Sequence, residues 1–361
     1  MKRTNRFPLF LLMLVLLLAA ALLASCGGDT ETPKPDTPTP DNPPEHTHAY
    51  TDTVTAPTCT EPGYTTHTCS CGHSYTDAKV PATGHTAAID PAVAPTKTED
   101  GRTEGSHCSA CQIVLVPQNA VHATGSLGLV YTVNEDGKTC TVTGIGTCTD
   151  TELVIPAFSP EDLPVTAVAA SAFRYGATFT DILILGNVLT EIGEYAFAEC
   201  TAFTNLTIPD SVTSIGKSAF YNCTSLAGVT IGNGVTAISK SAFESCTALT
   251  GVTFGNSVTE IGYASFYNCS ALESITIPDG VTKIDEYAFH CCTSLTGITI
   301  PAGVTSIGRH AFSNSNFSEI TFTGTKEQWK AITKGDTWDY YTRYYVVHCT
   351  DGDLTKEEAQ K

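Results

Sequence analysis

Cys108-Ser109-Ala110-Cys111 has the spacing most often used to hold a metal between two thiolates. Two intervening residues let the chain turn and point both sulfurs the same way. Cys69-Ser70-Cys71 is a tighter version of the same pair. Both pairs sit in similar stretches, His48 to His85 and His85 to His122, each with Ala-Pro-Thr, then Thr-Glu, a glycine, the cysteine pair and a closing histidine. In the first stretch His48, Cys59, Cys69, Cys71 and His85 are candidate ligands of a three-cysteine, one-histidine zinc site. In the second, Cys108 and Cys111 have His85, His107 and His122 as candidate partners. Lys97 stands where Cys59 stood, so the second set is incomplete. Zinc suits these ligand types, and disulfides or free thiols are the alternatives; no other cofactor is expected. Neither stretch holds enough large apolar side chains to close its own core, so a staple of one kind or another is expected.

A second set of cysteines is arranged differently. Cys200, Cys223, Cys246, Cys269 and Cys292 recur every 23 residues. Ile192, Ile215, Ile238, Ile261, Ile284 and Ile307 keep the same period, as do Phe197, Phe220, Phe243, Phe266, Phe289 and Phe312. Alanine precedes the phenylalanine in every copy but one, where Ser265 replaces it. Val168 and Phe173 form an earlier, irregular copy, which makes seven units. Each column cysteine lies between an apolar phenylalanine and an apolar leucine, and no histidine column accompanies it. Five cysteines cannot all pair. The column is therefore read as small buried hydrophobes whose thiols bond nearby carbonyls, against a reactive or metal-binding ladder or a ladder of disulfides.

Such columns need an architecture that aligns them. Within a unit, Leu-x-x-Val-Thr-Ile alternates apolar and polar residues and reads as a strand. Pro-Asp-Gly or Gly-Asn-Gly then supplies a turn, Val-Thr-x-Ile-Gly a second extended piece, and Ala-Phe-x-x-Cys a tight, single-turn helical segment. One unit buries six or seven apolar side chains worth about 2 kcal/mol each. Ordering its backbone costs about 1–2 kcal/mol per residue. A single unit is unstable, and stacked units forming a solenoid are not.

The recurring frame L-x-x-(V/I)-T-(I/F)-(P/G)-x-x-V-T-x-I-x-x-x-A-F-x-x-C over about 178–322 resembles the BspA-like leucine-rich repeat family of bacterial surface proteins. The resemblance implies a mainly β, right-handed solenoid, a cell-surface binding or adhesion role, and no catalytic residues. The segment from Gly128 to Pro156, with an alternating hairpin about Glu135-Asp136-Gly137, resembles the family's entry cap; Thr323 to Gly335 resembles its exit segment, with Trp329 covering the last coil. The two Cys/His stretches resemble repeats of uncertain role in exported proteins of anaerobic Firmicutes.

The chain begins with Lys2, Arg3 and Arg6, an apolar run from Phe7 to Ala24, and Leu23-Ala24-Ser25-Cys26. This is the layout of an export signal. Its ending resembles the lipobox of bacterial lipoproteins, which implies diacylation of Cys26. The alternative is an uncleaved membrane helix. From Gly27 to Thr47 the residues are mostly proline, threonine and aspartate, an extended spacer. The expected organisation is a leader (1–25), linker (26–47), two Cys/His units (48–125), β cap (126–170), solenoid (171–323) and C-terminal cap and tail (324–361). The net charge of −18, more negative once the leader is removed, argues against nucleic acid as a partner.

Two threonine columns, Thr207 to Thr299 and Thr190 to Thr305, alternate with core positions and should face solvent. They are either a hydroxyl array for glycan or ordered water, or ordinary exposed-strand threonines; the second reading is preferred. Tyr195, Tyr221, Tyr263, Tyr267 and Tyr287 near the Ala-Phe turn are a candidate contact edge. Glycine-rich phosphate loops, G-x-S-x-G and H-E-x-x-H are all absent from the sequence, so no enzyme is expected. The sequence thus points to a lipid-anchored protein on the outer surface of a bacterium, whose solenoid binds an extracellular protein or glycan. The alternative is a structural spacer displaying the Cys/His module.

Overall fold

A computed structural model describes residues 47–184 and 186–361. The leader, Cys26 and most of the linker lie outside these residues. Among the described residues, no helix is long and apolar enough to cross a membrane. The chain divides into two compact units, residues 1–83 and 84–361. The described part of the first is an antiparallel three-stranded sheet of Tyr50–Thr55, Gly63–Cys69 and Ser74–Val80.

The second unit is a β-solenoid preceded by a small antiparallel sheet of Ala87–Asp90, Gly105–Cys108 and Val114–Val116. The solenoid's first strand column has nine members: Glu152–Ile155, Asp181–Ile184, Asn205–Ile208, Gly228–Ile231, Gly251–Thr253, Ser274–Thr276, Gly297–Ile300, Glu319–Phe322 and Val346–Cys349. A second column of shorter strands runs from Val165–Val168 through Glu191–Ile192, Ser214–Ile215, Ala237–Ile238, Glu260–Ile261, Lys283–Ile284 and Ser306–Ile307 to Thr333–Lys334. Neighbours within a column pair in parallel and in strict repeat register, such as Leu206 with Val229 and Ile261 with Ile284. Each ladder is interrupted once, after Ser214–Ile215 in the second column and after Gly251–Thr253 in the first. Before the repeats, Val130–Val133 and Cys140–Gly144 form the expected hairpin, and Cys140–Gly144 joins the second column alongside Val165–Val168.

The repeated isoleucine, phenylalanine, cysteine and leucine positions are all buried in one continuous core. The phenylalanine rings stack from Phe173 to Phe312 with centroids 5.2–5.4 Å apart and interplanar angles of 2–10°. A regular chain path forces this ring spacing, since each ring must repeat at the coil-to-coil distance.

The Ala-Phe-x-x-Cys segment departs from expectation. It forms consecutive turns instead of a helical turn, with residues four apart at positive φ: Tyr195 (54°) and Glu199 (62°) in one coil, Ser218 (54°) and Asn222 (55°) in the next. These left-handed residues bracket the phenylalanine, and every second N–H of the segment points at the neighbouring coil. Tyr195, Phe197 and Glu199 donate to the carbonyls of Lys217, Ala219 and Tyr221 at 3.0, 2.8 and 2.7 Å. The turn column is thus a third inter-coil ladder. Left-handed backbone costs a non-glycine residue about 1–2 kcal/mol, and these inter-coil bonds oppose that cost. A helical turn would direct those N–H groups back into its own coil.

The solenoid also continues further than the seven expected units. Past Phe322 the short helix α1 (Lys326–Ala331) interrupts the strands, after which Thr333–Lys334 pairs with Ser306–Ile307 and Val346–Cys349 with Glu319–Phe322. Trp338 takes the next place in the ring column and meets Phe312 edge-on at 6.0 Å. These coils lack the consensus residues, which is why periodicity alone misses them. Gly352–Thr355 folds back antiparallel on Val346–Cys349, and α2 (Lys356–Ala359) follows.

Ser265, the exception in the alanine column, is fully buried, and its hydroxyl has no hydrogen-bond partner. A buried unsatisfied polar group costs about 1–3 kcal/mol. Ser265→Ala should therefore stabilise the solenoid by about 1–2 kcal/mol in urea unfolding; unchanged or lower stability would show that the hydroxyl is satisfied in solution.

Candidate functional site

The cysteine column faces inward. Cys200, Cys223, Cys246, Cys269 and Cys292 have no exposed surface. Each thiol donates to the carbonyl of the phenylalanine one coil back: Cys200 to Phe173, Cys223 to Phe197, Cys246 to Phe220, Cys269 to Phe243 and Cys292 to Phe266, at 3.1–3.3 Å. Burial pushes the Cys200 thiol up to about 12 and holds Cys223, Cys269 and Cys292 above the usual thiol range. Ser315 occupies the next column position, and its hydroxyl makes the same bond to Phe289 at 2.9 Å. A hydroxyl serving in the same role shows that the column needs a small buried donor and not a thiolate. Ser315 is hidden in a column defined by sulfur.

The threonine columns also have a structural job. Thr190 and Thr305 are exposed, and their hydroxyls donate to the carbonyls of Thr166 and Thr282 at 3.0 and 3.1 Å; Thr213, Thr259 and Thr282 bond the preceding threonine in the same way. Thr207, Thr230, Thr253 and Thr276 are exposed along the first strand column. With Asn205 and Asn256 they line a groove of about 710 Å³ that spans the interruption after Gly251–Thr253.

The expected tyrosine edge is only partly continuous. Tyr195 belongs to a separate group, where the Arg174 guanidinium lies 4.6 Å from the Tyr175 ring and 5.0 Å from the Tyr195 ring. The half-buried Tyr221 contributes its carbonyl to the turn ladder. Tyr263, Tyr267 and Tyr287 form one connected cluster with residues that the tyrosine pattern did not include. Tyr263 meets Tyr287 at 5.7 Å, Tyr287 meets His310 at 5.1 Å, Tyr267 stacks on His290 at 5.1 Å, and His310 reaches Tyr340 at 6.4 Å. Tyr340 in turn packs on the exposed Tyr341 at 4.0 Å. Lys240 lies 4.5 Å over the Tyr263 ring. His290 Nδ1 is buried without a partner, and burial lowers its pKa, with the neighbouring His310 adding to the effect. Counting histidine with tyrosine at these column positions adds His290 and His310, whereas Tyr340 lies off the 23-residue period.

The Cys/His stretches resolve into two hairpin turns. In the first unit the register pairs Tyr50 with Cys69, so His48 reaches the turn at Ser70–Gly72. His48, Cys69 and Cys71 place their ligand atoms within 4.8 Å of one another, with His48 Nδ1 3.1 Å from Cys71 Sγ. Cys59 and His85, grouped with them in the sequence reading, are not part of this trio. Cys59 is half-buried in the loop at the opposite end of the same hairpin, one strand length away. The backbone N–H of Cys71, with help from His48, brings the Cys69 thiol down to about 6.

In the second unit His85, Cys108 and Cys111 converge in the same way, with Cys111 Sγ 3.4 Å from His85 Nδ1. Hydrogen bonds from the backbone N–H groups of Cys111 and Ala110, with His85 adding, bring the Cys108 thiol down to about 5. His107 and His122 are elsewhere. His107 bonds Asp90 at 2.8 Å, and His122 stacks on Phe158 at 3.8 Å between Asp100 and Asp162. Lys97 bridges the Asp150 carboxylate at 2.8 Å and the Glu152 carbonyl at 2.6 Å. Its ammonium thus fastens the second Cys/His stretch to the solenoid entrance.

The repeats have known counterparts. The family model of the BspA type leucine-rich repeat region matches two overlapping segments, 166–292 and 213–332. Residues 166–332 are BspA-type leucine-rich repeats. Solved structures with similar folds include the leucine-rich repeat protein TpLRR of T. pallidum, 25% identical over 54% of this chain and 83% of that one, with a TM-score of 0.40. A leucine-rich repeat protein from Eubacterium ventriosum is 25% identical over 61% of this chain and 56% of that one, with a TM-score of 0.45. One from Bacteroides ovatus is 22% identical over 58% of this chain and 66% of that one, with a TM-score of 0.42. A comparison with curated proteins finds no match. The BspA-type repeat protein thus keeps its column residues for packing, and its variable residues form the rim.

Proposed function

We propose that this leucine-rich repeat protein is a binding protein of the bacterial cell surface, exported by its leader, anchored by a lipid on Cys26 and raised by the linker. The solenoid meets an extracellular protein or glycan through its aromatic rim. The observation that carries this reading is the cluster of Tyr263, Tyr267, Tyr287, His290, His310 and Tyr340 over successive coils. Aromatic side chains that are half-exposed and held by neighbours lose little entropy on binding, which is why they dominate contact surfaces. Leucine-rich repeat proteins generally bind protein partners, and their family is typically surface-associated. Repeat solenoids of this type are typically not enzymes, and the groove over the first strand column is lined by threonine hydroxyls, Asn205 and Asn256 together with apolar side chains such as Val229 and Ile275. An array of extracellular-matrix proteins and glycans probed with the protein should give saturable binding. Tyr263→Ala with Tyr287→Ala should weaken it at least tenfold, the effect of losing about 1.4 kcal/mol. Absence of any saturable partner, or binding indifferent to the double substitution, would contradict the rim as the site.

A further inference from the structure

The two cysteine–histidine turns share a geometry that packing does not require. Each closes a β-hairpin, and in each the first cysteine ends a strand and is buried while the second is exposed on the turn. The backbone is pinned across the turn: Cys69 N–H donates to the His73 carbonyl and Gly72 N–H to the Cys69 carbonyl; Cys108 N–H donates to Ile113 and Gln112 N–H to Cys108. The residue after the second cysteine is left-handed in both, Gly72 at φ 94° and Gln112 at φ 64°. For a glutamine this conformation costs about 1–2 kcal/mol. In each turn backbone N–H groups also bond the first sulfur: Cys71 N–H in one, Ala110 and Cys111 N–H in the other. N–H groups directed at a sulfur stabilise a thiolate and orient it, which is the role outer-shell donors play around metals. A histidine from the start of each stretch completes the trio.

We propose that each turn is the protein part of a thiolate–imidazole zinc site, with Cys69, Cys71 and His48 as ligands in the first unit and Cys108, Cys111 and His85 in the second. Zinc–sulfur bonds of about 2.3 Å and zinc–nitrogen bonds of about 2.0–2.1 Å set tetrahedral ligand atoms about 3.5–3.8 Å apart. The trios already lie within 4.8 Å, with nitrogen–sulfur separations of 3.1 and 3.4 Å, so only side-chain rotation is needed to close on an ion. Two soft thiolates and an imidazole select zinc over calcium or magnesium, which take oxygen ligands. In the first site three ligands leave a fourth position for water or an incoming group. Binding displaces the thiol protons still present, so affinity rises with pH. The inference is independent of the rim: the sites can hold zinc whether or not the solenoid binds a partner.

The test uses the full chain, purified with a reductant, loaded with Zn²⁺ and dialysed before elemental analysis. Two zinc ions per chain are expected. Cys69→Ser with Cys71→Ser should remove one, Cys108→Ser with Cys111→Ser the other, and all four substitutions both. The chain's two tryptophans, Trp329 and Trp338, lie at the far end of the solenoid, so their unchanged emission would show that it stays folded in these variants. Cobalt in place of zinc gives a second readout: thiolate-to-metal charge-transfer absorption that halves in each double variant. Fewer than two ions on the reduced chain, zinc that survives replacement of the cysteines, or a Cys108–Cys111 disulfide that persists under reductant would each overturn the proposal.

Discussion

Phe243→Ala should destabilise the solenoid by about 3–5 kcal/mol, as expected for removal of a large buried aromatic side chain. Phe243 is fully buried and stacked between Phe220 and Phe266, at 5.3 and 5.4 Å. Its loss leaves a cavity that neither neighbour can fill, because the turn ladder fixes their backbone. Phe243 N–H donates to Ser265 and Phe220 N–H to Ala242, at 2.8 and 2.9 Å. A mid-stack site should also divide the unfolding transition, since each coil is stabilised chiefly by its neighbours. Denaturant unfolding followed by circular dichroism reads both effects. A loss below about 1 kcal/mol, the scale of a tolerated core exchange, would mean that the ring column is not what couples the coils.

Trp329→Ala should cost a similar amount, about 3–5 kcal/mol, for a different reason. Trp329 lies on α1, is fully buried, donates from Nε1 to the Ala359 carbonyl at 2.9 Å, and meets Phe322 edge-on at 5.2 Å. Thr325 and Gln328 close a capping box at the start of the helix, fixing the residues that position Trp329. The Lys334 ammonium points at the Trp329 and Ile332 carbonyls from 2.7 and 3.2 Å, and burial lowers it to about 8. Removing the indole should release α2 and expose the last coil's unpaired edge, which invites pairing with another chain. Light scattering should show concentration-dependent association of the variant. A variant that stays monomeric and loses less than about 1 kcal/mol would show that α1 is peripheral.

The repeat was legible because its physics is periodic. A core position recurring every 23 residues is visible as a column, and Ile192 to Ile307 and Phe197 to Phe312 occupy the core as their spacing implies. Positions where a different residue performs the same task were harder to read. Ser315 hides in the cysteine column because a hydroxyl can replace a thiol donor, and Trp338 ends the ring column from a coil with no consensus residues. The Ala-Phe turn is not legible as such because a short run carries no local mark of left-handed residues such as Tyr195 and Glu199; only the neighbouring coil makes that conformation favourable. The histidines near Cys69 and Cys108 could not be allotted by spacing, since hairpin register decides which one reaches the turn. Register set His48 and His85 beside the sulfurs, and left His107 on Asp90 and His122 on Phe158.

The most direct test is differential thiol alkylation of the native, reduced protein, mapped by mass spectrometry. If sulfur serves packing inside the coils and chemistry only outside them, Cys71 and Cys111 should label within minutes in the absence of metal. Cys223, Cys246 and Cys269 should label only after denaturant is added. Labelling of those three at the rate of Cys71 in the folded chain would place the repeat thiols in water, and the stacked-coil account would be wrong.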